Sequence, residues 1–465
     1  MLIPKRHRRR RLLRLHSQRL QRRVIFVIGG LVVGAAAVGL ALAADEAQAV
    51  FHSFQQEFPY AVLLLTPLGF AAIVYVTNAY FPNSQGSGIP QAIAARALRA
   101  PRDRRKLVSI RIAVGKSFLT LAALLCGASI GREGPTVQVG ASIMAAIGGY
   151  SPRRQPGLIL AGSCAGIAAA FNTPMAGIVF GIEEMSRSFE SRTSGLIIGA
   201  IVAAGMTSLA LFGNYTYFGS SSAHLPSLMD WVAVGICGVV GGLMGGIFSR
   251  ILILFGAGFR GRFGEFVKSR PVLFAAACGL LVAICGVLTH GNVYGTGYEQ
   301  AREVLHDRET LAWYFAPLKL LATALSSISG LPGGFFAPSL SVGAGIGSNL
   351  SFLFPDTPIG ALVLLGMVAY FAGVVQAPIT AFVIVAEMTD NHGMLVPLML
   401  AALIARSTSR LVCKEGVYHA LSHKFLAEAG PDAPLRGSRD DKKPDEAAEA
   451  GSGGKQDGQP PSSAS

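Results

Sequence analysis

The sequence predicts an all-α integral membrane protein built from two homologous halves. Three observations carry that prediction: too little charge to face water, long apolar segments broken by glycine and proline, and an internal repeat displaced by 203 residues. Of 465 residues, 51% are hydrophobic and 14% charged, with a mean hydropathy of +0.48. Soluble domains carry about 25% charged residues. Glycine, with 56 residues, makes up about 12% of the chain against a usual share of roughly 7%. That excess suits close helix packing in lipid.

The net charge of +14 is unevenly placed. Positions 1–23 hold ten basic residues and no acid (Lys5, Arg6, Arg8, Arg9, Arg10, Arg11, Arg14, Arg19, Arg22, Arg23). A nucleic-acid arm is one reading of such a run. The apolar stretch 24–44 that follows makes it a positive-inside topology signal, so no nucleic-acid partner is expected. Ala41-Leu42-Ala43 resembles a cleavage site. The stretch is nevertheless too long for a typical signal-peptide core, and long enough to span. We read it as a retained helix with a cytoplasmic N-terminus.

A second span covers 58–80, and the loop between the two carries Asp45, Glu46 and Glu57 without a basic residue. Between Arg96 and Lys106, six basic residues return against Asp103, which gives an in–out–in hairpin. Further apolar segments run near 107–130, 158–182, 194–212, 231–248, 271–288, 318–328, 362–386 and 395–404. A basic segment at 1–23, a transport region at 24–425 with halves at roughly 24–215 and 231–425, and a disordered cytoplasmic tail at 426–465 are expected. The six cysteines (Cys126, Cys164, Cys237, Cys278, Cys285, Cys413) make no C-x-x-C pair, and neither a disulfide framework nor a metal site is expected.

Gly131-Arg132-Glu133-Gly134-Pro135-Thr136-Val137-Gln138-Val139-Gly140-Ala141 aligns with Gly334-Phe335-Phe336-Ala337-Pro338-Ser339-Leu340-Ser341-Val342-Gly343-Ala344 through G-x-x-x-P-x-x-x-V-G-A. A second pair follows at a displacement of 204: Pro174 lies nine residues before Glu183, and Pro378 nine before Glu387. Homologous halves with broken helices are the pattern of a transporter whose site lies at the repeat interface.

G-x-x-x-P marks three breaks, at Gly86-Ser87-Gly88-Ile89-Pro90, Gly131–Pro135 and Gly334–Pro338. Proline suits a helix start, and the glycines let the backbone turn and present bare N–H groups. A helix N-terminus then offers oriented donors and partial positive charge to an anion. Three such breaks predict N-termini converging on one dehydrated anion. Glycine hinges serving packing alone are the structural alternative.

Among the acids, Glu133, Glu183, Glu184 and Glu387 sit in or beside apolar stretches, where a charge costs roughly 3 kcal/mol or more. A carboxylate at Glu133 would compete with the anion for the same amides and leave on protonation, which makes a proton-operated gate. Glu183 has a counterpart in Glu387, so a structural role common to both halves is expected of it. Glu184 has none, since Met388 follows Glu387, and suits a task done once per protomer. Arg111 and Lys116 either add positive field to the pathway, snorkel, or pair with an acid.

These segments resemble the CLC family of chloride channels and chloride/proton exchangers. The resemblance rests on Gly-Ser-Gly-Ile-Pro at 86–90, Gly-Arg-Glu-Gly-Pro at 131–135 and Gly-Gly-Phe-Phe-Ala-Pro at 333–338. Lys116 matches a basic position of the family, and the likeness covers about 20–425. It implies an inverted-repeat bundle of tilted, broken helices, with one anion pathway in each protomer of a homodimer. It also implies roles. Ser87 and Tyr418 would meet the anion with hydroxyls, and Phe335 and Phe336 with backbone N–H groups. Glu133 would be the external gating glutamate and Glu184 the internal proton glutamate. Gly86, Gly88, Pro90, Gly131, Arg132, Gly134, Pro135, Gly334 and Pro338 would line the pathway.

The chain departs from the family pattern in Gln91, where an acid is common. With 47 residues after Tyr418, no cystathionine-synthase-like regulatory pair is expected. The function implied is exchange of chloride for protons across the plasma membrane, or the inner membrane of a Gram-negative cell, without a cofactor. A passive chloride channel is the alternative, and titratable Glu184 favours the exchanger. Ser87 argues against nitrate preference, and Ser87 with Tyr418 against a fluoride exchanger. An intramembrane hydrolase lacks a nucleophile–base pair, since His290 and His392 lie at segment ends.

Overall fold

The computed structural model describes residues 5–148, 154–186, 194–213, 216–258, 261–306 and 310–429, with side chains from residue 20 on except those of Ser194 and Phe263. Of the disordered tail expected at 426–465, residues 426–428 are instead the last residues of a helix, and those beyond 429 lie outside the described residues. The first half contains α1 (Lys5–Glu57), α2 (Val62–Tyr80), α3 (Ile89–Ala97), α4 (Pro101–Leu107), α5 (Ile110–Leu125), α6 (Glu133–Ile147), α7 (Gln155–Phe171), α8 (Pro174–Phe180), a π-helical turn (Gly181–Ser186) and α9 (Ser194–Phe212). The second contains α10 (Trp231–Ala257), α11 (Arg262–Ser269), α12 (Pro271–Leu288), α13 (Tyr298–Leu305), α14 (Phe315–Ile328), α15 (Phe336–Leu350), α16 (Ile359–Val375), α17 (Pro378–Thr389), α18 (Leu395–Val412) and α19 (Val417–Glu428).

Two expected apolar segments are each two helices, broken at equivalent places. Asn172 (φ 56°) ends α7 and Gln376 (φ 61°) ends α16, both left-handed. Pro174 and Pro378 then open α8 and α17. A left-handed cap stops the hydrogen-bond ladder, and a proline two residues on cannot continue it but can begin a new helix.

The halves meet at equivalent residues. Gly131 N–H donates to Gly334 O at 2.6 Å, and Gly334 N–H donates to Gly131 O at 2.8 Å, as an antiparallel bridge. Equivalent residues can exchange bonds in this way only about a local two-fold, with the chains running in opposite directions. The halves are therefore related by a two-fold, the relation that an inverted repeat has when the axis lies in the membrane plane. The packing repeats with them: α1 lies along α9 as α10 lies along α18, and α6 along α7 as α15 along α16. The last two contacts are close because they are glycine on glycine. A Cβ on Gly140 or Gly162 would strike the other's carbonyl, and Gly343 with Gly366 repeats the arrangement. Small residues at such crossings let backbones approach where water offers no hydrophobic drive.

Among the described residues, seven helices are long and apolar enough to span a membrane. Apolar side chains such as Leu64 and Phe118 are two-thirds exposed on the outer faces of α2 and α5. The chain is an integral membrane protein. All six cysteines are free.

The boundary between the first two spans differs from expectation. The stretch carrying Asp45, Glu46 and Glu57 is helix, not loop, because α1 runs on without a break to Glu57. No proline or glycine interrupts the chain between Gly39 and Pro59, and its Ala, Gln and Glu residues are good helix formers. At 53 residues and about 1.5 Å per residue, α1 far exceeds the hydrocarbon thickness.

Candidate anion and proton site

The three breaks knit into one junction. Gly86 N–H donates to Leu331 O at 2.9 Å, and Gly333 N–H returns a bond to Gly86 O at 3.1 Å. Gly131 and Gly334 form the reciprocal pair described above. Gly134 lies against the Ser87 carbonyl, so closely that a Cβ there would come within 2.8 Å of that oxygen. Gly86 (φ 66°) and Gly88 (φ 98°) adopt a left-handed backbone that other residues resist. The loop they shape delivers α3 with Pro90 in its first turn.

Ser87 is buried, and its Oγ accepts the Ile89 N–H at 3.2 Å. The hydroxyl hydrogen is left to point elsewhere. Lys116 does not snorkel and meets no acid among the described residues. Fully buried, its Nζ donates to Ser84 O at 2.7 Å and also to Gly86 O, fixing the loop that carries Ser87. Arg111 is exposed and donates to Tyr80 O.

Glu133 is the first residue of α6 and fully buried. Its side chain folds back over Gly131 and lies beside its own N–H and that of Ala337 in the first turn of α15. Neither carboxylate oxygen has a hydrogen-bond partner of normal geometry. A carboxylate thus sits between two helix N-termini, where the partial charges of unpaired donors favour an anion. Arg132 turns away, donating to Ala41 O at 2.5 Å and pairing with Asp45, both on α1. Pro135 and Pro338 are the third residues of α6 and α15.

Phe335 caps α15 and Phe336 begins it, so their N–H groups belong to the turn that the helix itself leaves unsatisfied. Tyr418, in the first turn of α19, stacks on Phe335 with ring centroids 5.1 Å apart and planes 18° apart. It is fully buried, and its hydroxyl has no partner among the described residues. Both Glu133 and Glu184 are near enough to act on it electrostatically. Ser87, Glu133, Phe335, Phe336 and Tyr418 are therefore brought to one junction.

Glu184 lies on the π-helical turn after α8 and is buried. Such turns recur at functional sites because one extra residue re-aims the side chains. The His419 Nε2 stands 2.8 Å from Glu184 O and 3.7 Å from Glu184 Oε1. A cavity of about 610 Å³ beside Glu184 is lined by Glu183, Gln376, Arg406, Arg410, Lys414 and neighbours. A second, of about 690 Å³, opens beside Arg132 and Asp45.

A fourth break escaped the sequence reading. Gly295-Thr296-Gly297-Tyr298 is the repeat mate of Gly86-Ser87-Gly88-Ile89, displaced by 209 residues. Gly295 (φ 60°) and Gly297 (φ 72°) share its left-handed backbone. Lys319 stands 203 residues after Lys116 and donates to Val293 O at 2.9 Å and Gly295 O at 2.8 Å. The G-x-x-x-P template misses this loop because Glu299 replaces proline; G-[ST]-G with a buried lysine would have found it. Its donors are taken. The Gln48 Oε1 accepts from Thr296 N–H at 2.9 Å and lies 3.2 Å from Thr296 Oγ1. A neutral side-chain oxygen of the chain thus closes this loop.

Comparison with known proteins agrees with this architecture. The family model described as "Voltage gated chloride channel" matches residues 68–410. The "H(+)/Cl(-) exchange transporter ClcA" of Yersinia pseudotuberculosis serotype IB is 31% identical over 400 residues, spanning 79% of this chain and 80% of the relative. The protein of the same description from Vibrio campbellii is 28% identical over 396 residues, with the same shares of each chain. Among solved structures, a slow cyanobacterial Cl-/H+ antiporter superposes with a TM-score of 0.76 at 24% identity, covering 88% of this chain and 98% of its own. A CLC-type fluoride/proton antiporter gives 0.72 at 21% identity, covering 86% and 98%.

Proposed function

We propose that this protein, which belongs to the voltage-gated chloride channel (CLC) family, exchanges chloride for protons across its membrane. The buried Glu133 carboxylate, lying where the first turns of α6 and α15 meet, carries the proposal. A side chain bearing the same charge as the transported anion sits against the helix N-termini that the anion needs. Protonation removes its claim on them, and chloride then takes its place. The identity to exchangers over most of the chain supports the same reading, as does titratable Glu184.

In this mechanism the Ser87 and Tyr418 hydroxyls and the Phe335 and Phe336 N–H groups replace water around chloride. Glu133 gates the outer side. Glu184 passes protons between the inner solution and Glu133, lowering the barrier that a low-dielectric interior sets against a bare charge. The cavity beside Glu184 faces the cytoplasm and the cavity beside Arg132 faces outward, an orientation resting on the basic positions 1–23. Both termini are then cytoplasmic, the membrane is the plasma membrane (the inner one in a Gram-negative cell), and the working unit is a homodimer with a pathway in each protomer. No cofactor enters the mechanism.

Chloride efflux and pH recorded together on reconstituted protein test the exchange. A chloride gradient is expected to drive protons uphill. Chloride flux with no proton movement would make the protein a channel.

A further inference from the structure

We propose that His419 is the relay that passes protons between the inner solution and Glu184. The inference rests on the reading of Glu184 as the internal proton glutamate and names the group that serves it.

Glu184 itself lines the inner cavity, and α19 sets a second, graded approach to it from solvent. His423 and Glu415 stand at its mouth, 3.7 Å apart, with side chains 63% and 38% exposed. His419 follows, one helical turn back from His423 and on the same face of α19. Its side chain is 14% exposed, and that of Glu184, 3.7 Å beyond, is 4% exposed. Imidazole suits the middle position because it takes up and releases protons near neutral pH and has two nitrogens to do so. Arg96 on α3 flanks the same turn, but its guanidinium donates to Met185 O and Ser186 Oγ. A permanently charged guanidinium cannot itself relay a proton.

The step balances within the chain. In neutral His419, Nε2–H donates to the Glu184 carbonyl at 2.8 Å, which leaves Nδ1 as the acceptor. A proton from the inner solution binds Nδ1 and makes imidazolium. The Nε2 proton then moves to the nearby Glu184 carboxylate, leaving neutral imidazole with its proton on Nδ1. Rotation of the ring then turns Nε2 to solvent, where it takes a proton as Nδ1 releases one, and rotation back restores the starting tautomer. One proton enters, one reaches Glu184, and the ring ends neutral.

Tyr418 and His419 are neighbours in the first turn of α19. One helix start therefore sets a phenol at the anion junction and an imidazole on the proton path. Any movement of that turn acts on both ions together.

The test compares His419→Ala, His419→Gln and Glu184→Gln in liposomes, reading proton and chloride flux with and without imidazole in the internal buffer. Glutamine keeps an N–H for the Glu184 carbonyl but cannot carry a proton. Both His419 variants are expected to keep most chloride flux and lose proton flux several-fold. Imidazole should restore proton flux in His419→Ala and not in Glu184→Gln. Loss in His419→Ala that glutamine repairs and imidazole does not would show an anchor for the π-helical turn and overturn the relay. Unchanged coupling in both His419 variants, beside an uncoupled Glu184→Gln, would overturn the relay alone. Full coupling in Glu184→Gln would overturn the underlying reading, and the relay with it.

Discussion

Glu183 and Glu387 each cap the helix that begins the other's segment. The Glu183 carboxylate accepts N–H bonds from Ile379 at 3.3 Å and Thr380 at 2.7 Å, in the first turn of α17. The Glu387 carboxylate accepts from Met175 at 3.1 Å and Ala176 at 2.8 Å, in the first turn of α8. Each satisfies donors that its partner helix leaves open, and each places negative charge at a positive helix end. The exchange clasps the two halves together. It gives the glutamate that has a repeat counterpart the same capping contact in each half.

Glu183→Gln and Glu387→Gln are therefore expected to cost similar stability. A hydrogen bond to a charged group contributes about 1.5–3 kcal/mol, and the thermal midpoint should fall by several degrees in each. Surviving protein should still couple protons to chloride. Glu184→Gln should do the reverse, abolishing proton movement while leaving chloride flux substantial. Thermal scans and dual flux recordings on the purified variants distinguish the two patterns. An uncoupled, well-folded Glu183→Gln beside a coupled Glu184→Gln would reverse the assignment.

Glu133→Gln keeps the size of the gate and removes its charge. Chloride flux is expected to persist, to lose its pH dependence and to drag no protons. The readout is flux across a pH series, and proton pumping by this variant would remove Glu133 from the mechanism.

Ser87→Pro deletes the hydroxyl whose hydrogen is free to meet the anion. Chloride preference should weaken in favour of nitrate. The ratio of nitrate to chloride flux measures it, and an unchanged ratio speaks against a central place for Ser87.

Lys116 and Lys319 make equivalent bonds under loops of different duty. Replacing either by methionine leaves buried carbonyls unpaired, at about 1–3 kcal/mol for each such group. Only Lys116→Met should also lower chloride affinity, because only its loop carries Ser87. Chloride titration by calorimetry separates the two variants. Equal losses of affinity would contradict the idea that Gln48 closes the second loop.

Asp230, just before α10, accepts from the Thr357 hydroxyl at 2.5 Å and from Ser227 N–H at 2.7 Å. The Thr357 bond foremost, and then those from Ser227, hold its carboxyl below the ordinary value. A depressed acid stabilises the fold above its unfolded pKa, about 3.9, and that contribution is lost as pH falls through the folded value. Thermal midpoints of the native protein and Asp230→Asn should therefore differ at neutral pH and converge in acid below about 4.

Much of this protein is determined by its sequence alone. The membrane class follows from the scarcity of charge, and the two halves from spacings that persist along one chain. Three of the four junction loops declare themselves because glycine and proline have backbone requirements that no packing can waive. Even the separation of Glu183 from Glu184 is legible, since a repeat compares each residue with its own counterpart. What only the tertiary structure decided lies between residues distant in sequence. The bridge of Gly131 to Gly334, the closing of the Thr296 loop by Gln48 and the approach of His419 to Glu184 all depend on which helix faces lie together. So does the silence of the second half. Its loop shares the backbone of the Ser87 loop, and a glutamine 248 residues away supplies the oxygen. Local backbone chemistry is written in neighbouring residues, whereas the partner that satisfies a buried donor is chosen by packing, which no spacing reports.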